Sequence, residues 1–301
     1  MKTSSTLLSY RSVGEFIDNI LKQSHINDGT ITKSGWCLRE ALLHIASSDT
    51  ERWCPILSQH GAPSLYHSIQ SCRHEDTIQD MKQPMTCFAS LCRIVAGQQL
   101  AGAAAQAVWN RLLVVTEPTL TPSKVLALDT LGLVDNFQKP VGLSMNKVRS
   151  IVDLAKKFDE GTLSDVFLQG ASDDEIRSTL LTVRGIGPWS CDMFLLFHLE
   201  RPDVMPFGDL GVRKGMAKHF SIRGSGKMGT LCPKKDYDKM MDLVRPFQPY
   251  RSLFSFYMWR VADAKEGDSS VASSRDQEVQ RTPQFVTSDK PKKRLKKSLK
   301  D

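Results

Sequence analysis

Residues 180–190 read Leu-Leu-Thr-Val-Arg-Gly-Ile-Gly-Pro-Trp-Ser and link two segments that both have helical patterns. Gly185 and Gly187 permit positive φ and let the backbone approach a partner closely, and Pro188 suits the first position of a helix. The first N–H groups of that helix lack partners within it, and its dipole is positive there. A helix–hairpin–helix of this kind can bind a phosphate without a basic side chain. A tight turn between two core helices explains the same residues equally well.

Helical patterns continue on both sides of this hairpin. Ser172 and Glu175 form a capping box before the helix that enters it. The segment after Pro188 is apolar on nearly all sides, which is typical of a buried helix. Predicted helices cover residues 86–109, 144–160, 172–180 and 189–198, and about 210–220, 235–244 and 250–263. No run of alternating apolar and polar residues suggests a strand, so the sequence predicts an all-α fold.

Composition divides the chain into three parts. The 301 residues are 41% hydrophobic and 24% charged, which is typical of a globular protein. Residues 1–40 form an N-terminal extension with weak helical signals, 41–265 form the main domain, and 266–301 form a polar tail predicted to be disordered. No apolar stretch approaches 18 residues, so no membrane span is expected. Seven cysteines without paired spacing predict reduced thiols.

The net charge of +7 comes from the tail. Seven basic residues lie between Lys290 and Lys300, and without them the chain has 33 basic and 33 acidic residues. The balanced remainder does not by itself indicate a nucleic-acid-binding protein, so such a function has to come from a local site.

Asp209 is the candidate catalytic carboxylate. It lies 21 residues after Pro188, in Pro206-Phe207-Gly208-Asp209-Leu210, at the predicted start of a helix. Aspartate is a favoured N-cap, and that role needs no chemistry. A carboxylate at a helix N-terminus also stays ionised, and beside a sugar it can stabilise positive charge at the anomeric carbon and orient water.

Four ordered blocks, at residues 88–105, 180–190, 206–215 and 249–259, resemble those of the helix–hairpin–helix Gly/Pro/Asp superfamily of DNA glycosylases. Within it the chain is similar to the 3-methyladenine DNA glycosylase family, over about residues 40–263. The resemblance implies two helical subdomains that flank a base-binding cleft, with a small N-terminal extension. It also implies that Asp209 is catalytic and that Gly185, Gly187 and Pro188 dock DNA.

The resemblance also assigns the subclass. Trp189 lies where bifunctional members of the superfamily carry a Schiff-base lysine, so a monofunctional enzyme without lyase activity is expected. Cys232 is the only cysteine beyond residue 191, so the four-cysteine iron–sulfur loop of other branches is missing. No cofactor is expected, apart from a Na⁺ or K⁺ ion on the main-chain carbonyls of Leu181, Val183 and Ile186.

Two tryptophans and one turn are the remaining site candidates. Trp189 and Trp259 correspond to aromatic residues that line the family's base pocket, and tryptophan is the best cation–π surface for a positively charged alkylated base. Core packing is the alternative role for both. Gln99, with Leu100 close behind, corresponds to the wedge that fills the gap left by a flipped nucleotide. A helix-capping role for the pair Gln98 and Gln99 remains the alternative.

The function implied is removal of alkylated purines, of the 3-methyladenine and 7-methylguanine type, from double-stranded DNA by base flipping, which initiates base excision repair. A glycosylase for oxidised or deaminated bases and a noncatalytic helix–hairpin–helix DNA-binding protein are the alternatives. The loop Arg223–Lys227 looks like an insertion, which could contact DNA or be inert.

The tail suggests a location for the protein. Pro-Lys-Lys-Arg-Leu-Lys-Lys at 291–297 resembles a nuclear localisation signal, and a solubilising or nonspecific DNA-binding tail is the alternative. We therefore expect a nuclear protein that binds an import receptor through this tail, acts as a monomer and does not bind membranes.

Overall fold

The structure is a computed structural model that describes residues 10–26, 30–63, 85–116, 119–130 and 138–264. These residues form helices and no strand; their single β-bridge joins Ile31 and Cys37. The predicted all-α fold is therefore confirmed. None of the helices in the described ranges is both long and apolar enough to span a membrane.

Fourteen α-helices are described. They are α1 Val13–Gln23, α2 Leu38–Ser48, α3 Thr50–His60, α4 Cys87–Gly97, α5 Gly102–Val115, α6 Pro122–Thr130, α7 Gln138–Val141, α8 Met145–Asp159, α9 Asp165–Gly170, α10 Asp173–Leu180, α11 Pro188–Phe197, α12 Leu210–His219, α13 Tyr237–Val244 and α14 Arg251–Asp263. Short 3₁₀ turns lie at Lys227–Gly229 and Arg245–Phe247.

Side-chain caps set several helix starts where the sequence predicts them. Ser144 accepts the N–H of Lys147 before α8, and Ser172 and Glu175 form the predicted capping box before α10. The segment predicted to be helical over residues 86–109 forms two helices, α4 and α5, and the predicted turn at Gln98 and Gln99 lies between them. The chain breaks there because Gln99 has φ +61°, outside the helical region.

The N-terminal segment packs within the same core as the rest of the described chain. Phe16, Ile17, Ile20 and Leu21 of α1 are buried in contact with α2 and α3. Further along, the indole N–H of Trp36 donates to the carbonyl of Glu200. The packing therefore has no break at residue 40, where the sequence suggests a boundary. The tail 266–301, with its predicted disorder, lies outside the described residues.

The closest helix packing positions the candidate site. A Cβ on Gly215 of α12 would lie 1.9 Å from the Met258 carbonyl oxygen of α14, so only glycine permits this approach. Gly211, one turn earlier, faces the Trp259 ring in the same way: its Cβ would lie 2.7 Å from Cδ1. These two glycines bring α14, and with it Trp259, against the start of α12, which Asp209 caps.

Candidate active site and nucleic-acid interface

Asp209 is a buried carboxylate held by three N–H donors. Its side chain caps α12 by accepting the Val212 N–H on Oδ1 at 2.9 Å. The indole N–H of Trp259 donates to the same oxygen at 2.8 Å, and that of Trp189 donates to Oδ2 at 2.9 Å. Asp209 is only 4% exposed. The predicted cap and the predicted aromatic pair therefore meet at one side chain, and the N-cap role and a chemical role are compatible.

The two tryptophans present different surfaces. Trp259 is 5% exposed, and its ring stacks on Phe197 of α11 with 5.5 Å between centroids. Trp189 is half-buried on the first turn of α11. Trp189 thus has ring surface available to a ligand, whereas the described contacts of Trp259 orient the carboxylate. The assignment of both residues to a base pocket stays a prediction.

The hairpin glycines have different roles, which corrects the expectation that both use positive φ. Gly185 has φ +74°, and a Cβ there would lie 2.2 Å from Oγ of Ser150. Gly187 caps α11 at φ −115°, in extended backbone that any residue adopts. No heavy atom lies within 4 Å of a Cβ built on Gly187. Gly187 therefore leaves open space in front of α11, where the backbone can approach a phosphate.

The first turn of α11 is suited to an anion. Pro188 is at the first helical position, as predicted, and no side chain caps the helix. The N–H groups of this turn and the positive end of the helix dipole can bind an anion without a basic side chain.

An ion pair joins the two hairpin helices. Arg177 of α10 binds the carboxylate of Asp192, which lies one turn after Trp189 on α11. Burial raises the pKa of Asp192 to about 6, while the guanidinium opposes that shift. The pair fixes the angle between the two helices and hence the position of Trp189 relative to the hairpin.

The turn between α4 and α5 is anchored to the hairpin. The amide of Gln98 donates to the Gly185 carbonyl and to Oγ of Ser190, both at 3.0 Å. The ammonium of Lys147 donates to the carbonyls of Ala96 and Gln98, at 2.8 and 2.7 Å. Burial lowers the pKa of Lys147. The turn therefore has a fixed position relative to the hairpin.

This anchoring distinguishes three neighbouring side chains. Gln98 is half-buried and occupied by its hydrogen bonds, and Leu100 packs partly buried against the core. Gln99 is exposed at the tip, with φ +61°. Gln99 thus has the exposure that a wedge needs, and its wedge role stays a prediction.

Main-chain oxygens line the hairpin where the cation is expected. The Val183 carbonyl accepts the Ile186 N–H at 3.2 Å within the loop and keeps a second lone pair. Hard oxygen donors of this type suit Na⁺ or K⁺. Over the described parts of the chain, no three His, Cys, Asp or Glu side chains group as metal ligands would.

Several residues of the site could not be identified from the sequence, because their partners are distant in the chain. Lys147 contacts a turn that lies 49 to 51 residues earlier, and Arg177 pairs with Asp192 across the hairpin. Gly211 and Gly215 are the exception. Two glycines four residues apart in a predicted helix indicate a close helix contact, and that signal could have placed α14 against α12.

Sequence comparison connects this geometry with a family. Residues 92–232 match the sequence model described as "HhH-GPD superfamily base excision DNA repair protein". The match contains the turn between α4 and α5, the hairpin, Asp209 and Cys232.

Individual relatives agree with that match. The chain is 28% identical over 231 residues to the DNA-3-methyladenine glycosylase of Saccharomyces cerevisiae, which covers 66% of this chain and 76% of the yeast protein. It is also 32% identical over 139 residues to the Bacillus subtilis protein described as "Putative DNA-3-methyladenine glycosylase YfjP". That alignment covers 46% of this chain and 44% of the length of the relative.

A solved structure shares the fold. The 3-methyladenine DNA glycosylase Mag1 of Schizosaccharomyces pombe, determined in complex with abasic DNA, aligns with a TM-score of 0.55 at 24% identity. The alignment covers 73% of this chain and 95% of Mag1.

Proposed function

Because residues 92–232 match the HhH-GPD superfamily of base excision DNA repair proteins, we propose that this chain is a member of it and a monofunctional DNA glycosylase that removes alkylated purines from double-stranded DNA. Its substrates are of the 3-methyladenine and 7-methylguanine type, and its reaction initiates base excision repair. One observation carries the proposal: Asp209, which lies within the family match, is a buried carboxylate held by the indole N–H groups of Trp189 and Trp259.

The described residues support a hydrolytic mechanism. The first turn of α11 docks a phosphate, Gln99 fills the gap in the base stack, and Trp189 contacts the flipped base. The bond from C1′ to the purine nitrogen breaks, and its electron pair leaves with the base, which the alkyl group has already made positive. Asp209 stabilises the sugar cation, in the manner of glycoside hydrolysis. Water adds to C1′ and loses a proton, which leaves an abasic site and a free base.

The two alternatives have less support. A noncatalytic DNA-binding protein has no need of a carboxylate held in place by two indole N–H groups. The other alternative is a glycosylase for oxidised or deaminated bases. Its strand-cleaving type requires an amine nucleophile, and Trp189 supplies none.

We expect Asp209→Asn to lower base release by about 100-fold or more, because it removes the negative charge that opposes the developing sugar cation. Asparagine still caps helices, so the fold and DNA binding are expected to survive. The measurement is the release of methylated bases from alkylated duplex DNA, together with duplex affinity.

Asp49→Asn is the matched control, because Asp49 caps α3 by accepting the Arg52 N–H at 3.1 Å, in the way that Asp209 caps α12. Wild-type turnover by Asp209→Asn would contradict the mechanism and favour a DNA-binding module.

The unmodified protein is expected to leave intact abasic strands that break only in alkali or heat. A borohydride-trapped protein–DNA adduct would contradict the monofunctional assignment.

We further propose that the protein is nuclear, that its tail binds an import receptor, and that it acts as a monomer. Support for the first two comes from the basic segment 291–297 alone. Deletion of residues 290–301 should leave activity on short oligonucleotides intact and disperse the fluorescently tagged protein from nuclei. Continued nuclear concentration of the truncated protein would refute the import role. A monovalent cation on the carbonyls of Leu181, Val183 and Ile186 belongs to the same proposal.

A further inference from the structure

A basic module lies beside Asp209 and is separate from the hairpin. We propose that residues 223–239, here called the basic module, bind the phosphodiester backbone of the DNA that the hairpin docks. This inference rests on the proposed function, because the hairpin and Asp209 bring the DNA to this face of the protein.

The composition of the module differs from that of the rest of the described chain. It contains five basic residues and two acidic ones within 17 positions. The basic side chains are all exposed: Arg223, Lys227, Lys234, Lys235 and Lys239. Since residues outside the tail are balanced in charge, this surface concentrates positive charge that a polyanion would attract.

One of the two acidic residues is used to build the module. Oδ2 of Asp236 accepts hydrogen bonds from the Ser225 N–H at 2.8 Å, the Ser225 hydroxyl at 3.0 Å and the Cys232 N–H at 2.7 Å. These N–H groups lower the pKa of Asp236 and keep it ionised. Asp236 therefore holds the loop closed, and the five basic and two acidic residues leave the module a formal net charge of +3.

The loop is preorganised. The Gly224 N–H donates to the Gly229 carbonyl and the Gly226 N–H to the Thr230 carbonyl, both at 2.8 Å. A Cβ on Gly224 would lie 2.4 Å from Cα of Leu231, and one on Gly226 would lie 2.6 Å from the Thr230 carbonyl oxygen. Glycine is therefore required at both positions. The tip residue Met228 is 98% exposed with φ +56°. A fixed loop loses little conformational entropy when it binds a partner.

Two contacts connect the module with the catalytic turn. The Arg213 guanidinium, one turn after Asp209 on α12, donates to the Leu231 carbonyl. The Phe207 ring, two residues before Asp209, lies 5.3 Å from the Tyr237 ring in an edge-to-face contact. These two contacts hold the module against the segment that carries Asp209, so we expect a DNA strand bound at Asp209 to continue along the module.

The test is the salt dependence of DNA affinity. The probe is a labelled duplex with one tetrahydrofuran abasic-site analogue, titrated with the full-length protein from about 50 to 200 mM NaCl. The slope of log K against log salt is negative, and each lost phosphate contact lowers its magnitude by about 0.9. We expect Arg223→Gln with Lys227→Gln to reduce the slope by about 1–2 and to weaken binding at low salt most.

Two further variants separate charge from folding. Arg223→Lys with Lys227→Arg keeps both charges and should keep the wild-type slope. Lys22→Gln removes an exposed charge from α1 and should also leave the slope unchanged. An unchanged slope in the double glutamine variant would overturn the proposal. Release of methylated bases by the wild type is measured separately. Its failure would contradict the proposed activity, and the slope would still test the module.

Discussion

Asp209 can combine its observed structural role with the proposed chemical one because its two oxygens have different partners. Oδ1 accepts both the Val212 N–H of the helix cap and the Trp259 indole, and Oδ2 accepts the Trp189 indole. The cap and Trp259 fix the direction of the carboxylate from the buried side. Oδ2 then points towards Trp189, which is the half-buried member of the pair. Hydrogen bonds to a charged group contribute about 1.5–3 kcal/mol each, so the orientation is well determined.

We expect Trp259→Phe to slow base release about tenfold or more, because the variant keeps an aromatic ring but loses the N–H that orients Oδ1. The measurement is single-turnover release from alkylated duplex at saturating protein. Trp53→Phe is the matched control, since Trp53 is equally buried and its indole nitrogen has no hydrogen-bond partner within the described protein. Equal rates in both variants would show that Trp259 only fills space.

At the scale of elements, the hairpin depends on one glycine conformation and on contacts from two other segments. Gly185 adopts positive φ against Ser150 of α8, and Gln98 holds the turn between α4 and α5 to the hairpin from the other side. In the proposed function, DNA docking and base-stack filling therefore belong to one rigid unit. A change in any of its three segments is expected to affect both functions together.

Gly185→Ala should destabilise the fold by about 1–2 kcal/mol from its left-handed φ alone, and by more because of the clash with Ser150. Adding Ser150→Gly removes the clash and leaves the φ cost, so the double variant should recover part of the stability. Gly187→Ala is the control, because its φ is negative and the space around it is open. It should keep its stability and lose DNA affinity. Urea unfolding measures the stability of each variant, and duplex titration measures its DNA affinity. A Gly187→Ala variant as unstable as Gly185→Ala would show that Gly187 also serves the fold and not only the approach of DNA.

For the whole molecule, the sequence predicted features that depend on neighbouring residues better than contacts between residues that are far apart in the chain. The capping box at Ser172, the start at Ser144 and the cap at Asp209 depend on neighbouring residues, and all three are present in the structure. The packing of the N-terminal segment was not predictable. Trp36 and Glu200 meet across 164 residues of sequence, and no periodicity reports such a pair. In the same way, the sequence and its family resemblance identified Asp209, Trp189 and Trp259 as candidates. They gave no sign that both indole N–H groups donate to the Asp209 carboxylate.

One buried histidine and two half-buried ones make the stability of the molecule sensitive to acid. Burial lowers the pKa values of His60, His198 and His219 to about 4. The unfolded chain therefore binds more protons than the folded one between about pH 6.5 and 4, and stability falls as the pH falls through this range. Asp192 acts in the opposite direction, because its raised pKa lets the folded state bind the extra proton between about pH 4 and 6.

His198 allows a direct test of this dependence. It is 6% exposed, its ring stacks on Phe194, and its Nδ1 has no partner in the described structure. Linkage gives it about 1–2 kcal/mol of the stability lost between pH 7 and pH 5. His198→Phe should reduce the difference in unfolding free energy between these pH values by that amount, measured by urea denaturation. His25→Gln, at an exposed position, should leave the difference unchanged. If His198→Phe shows the full wild-type loss, the acid sensitivity has its origin in other groups.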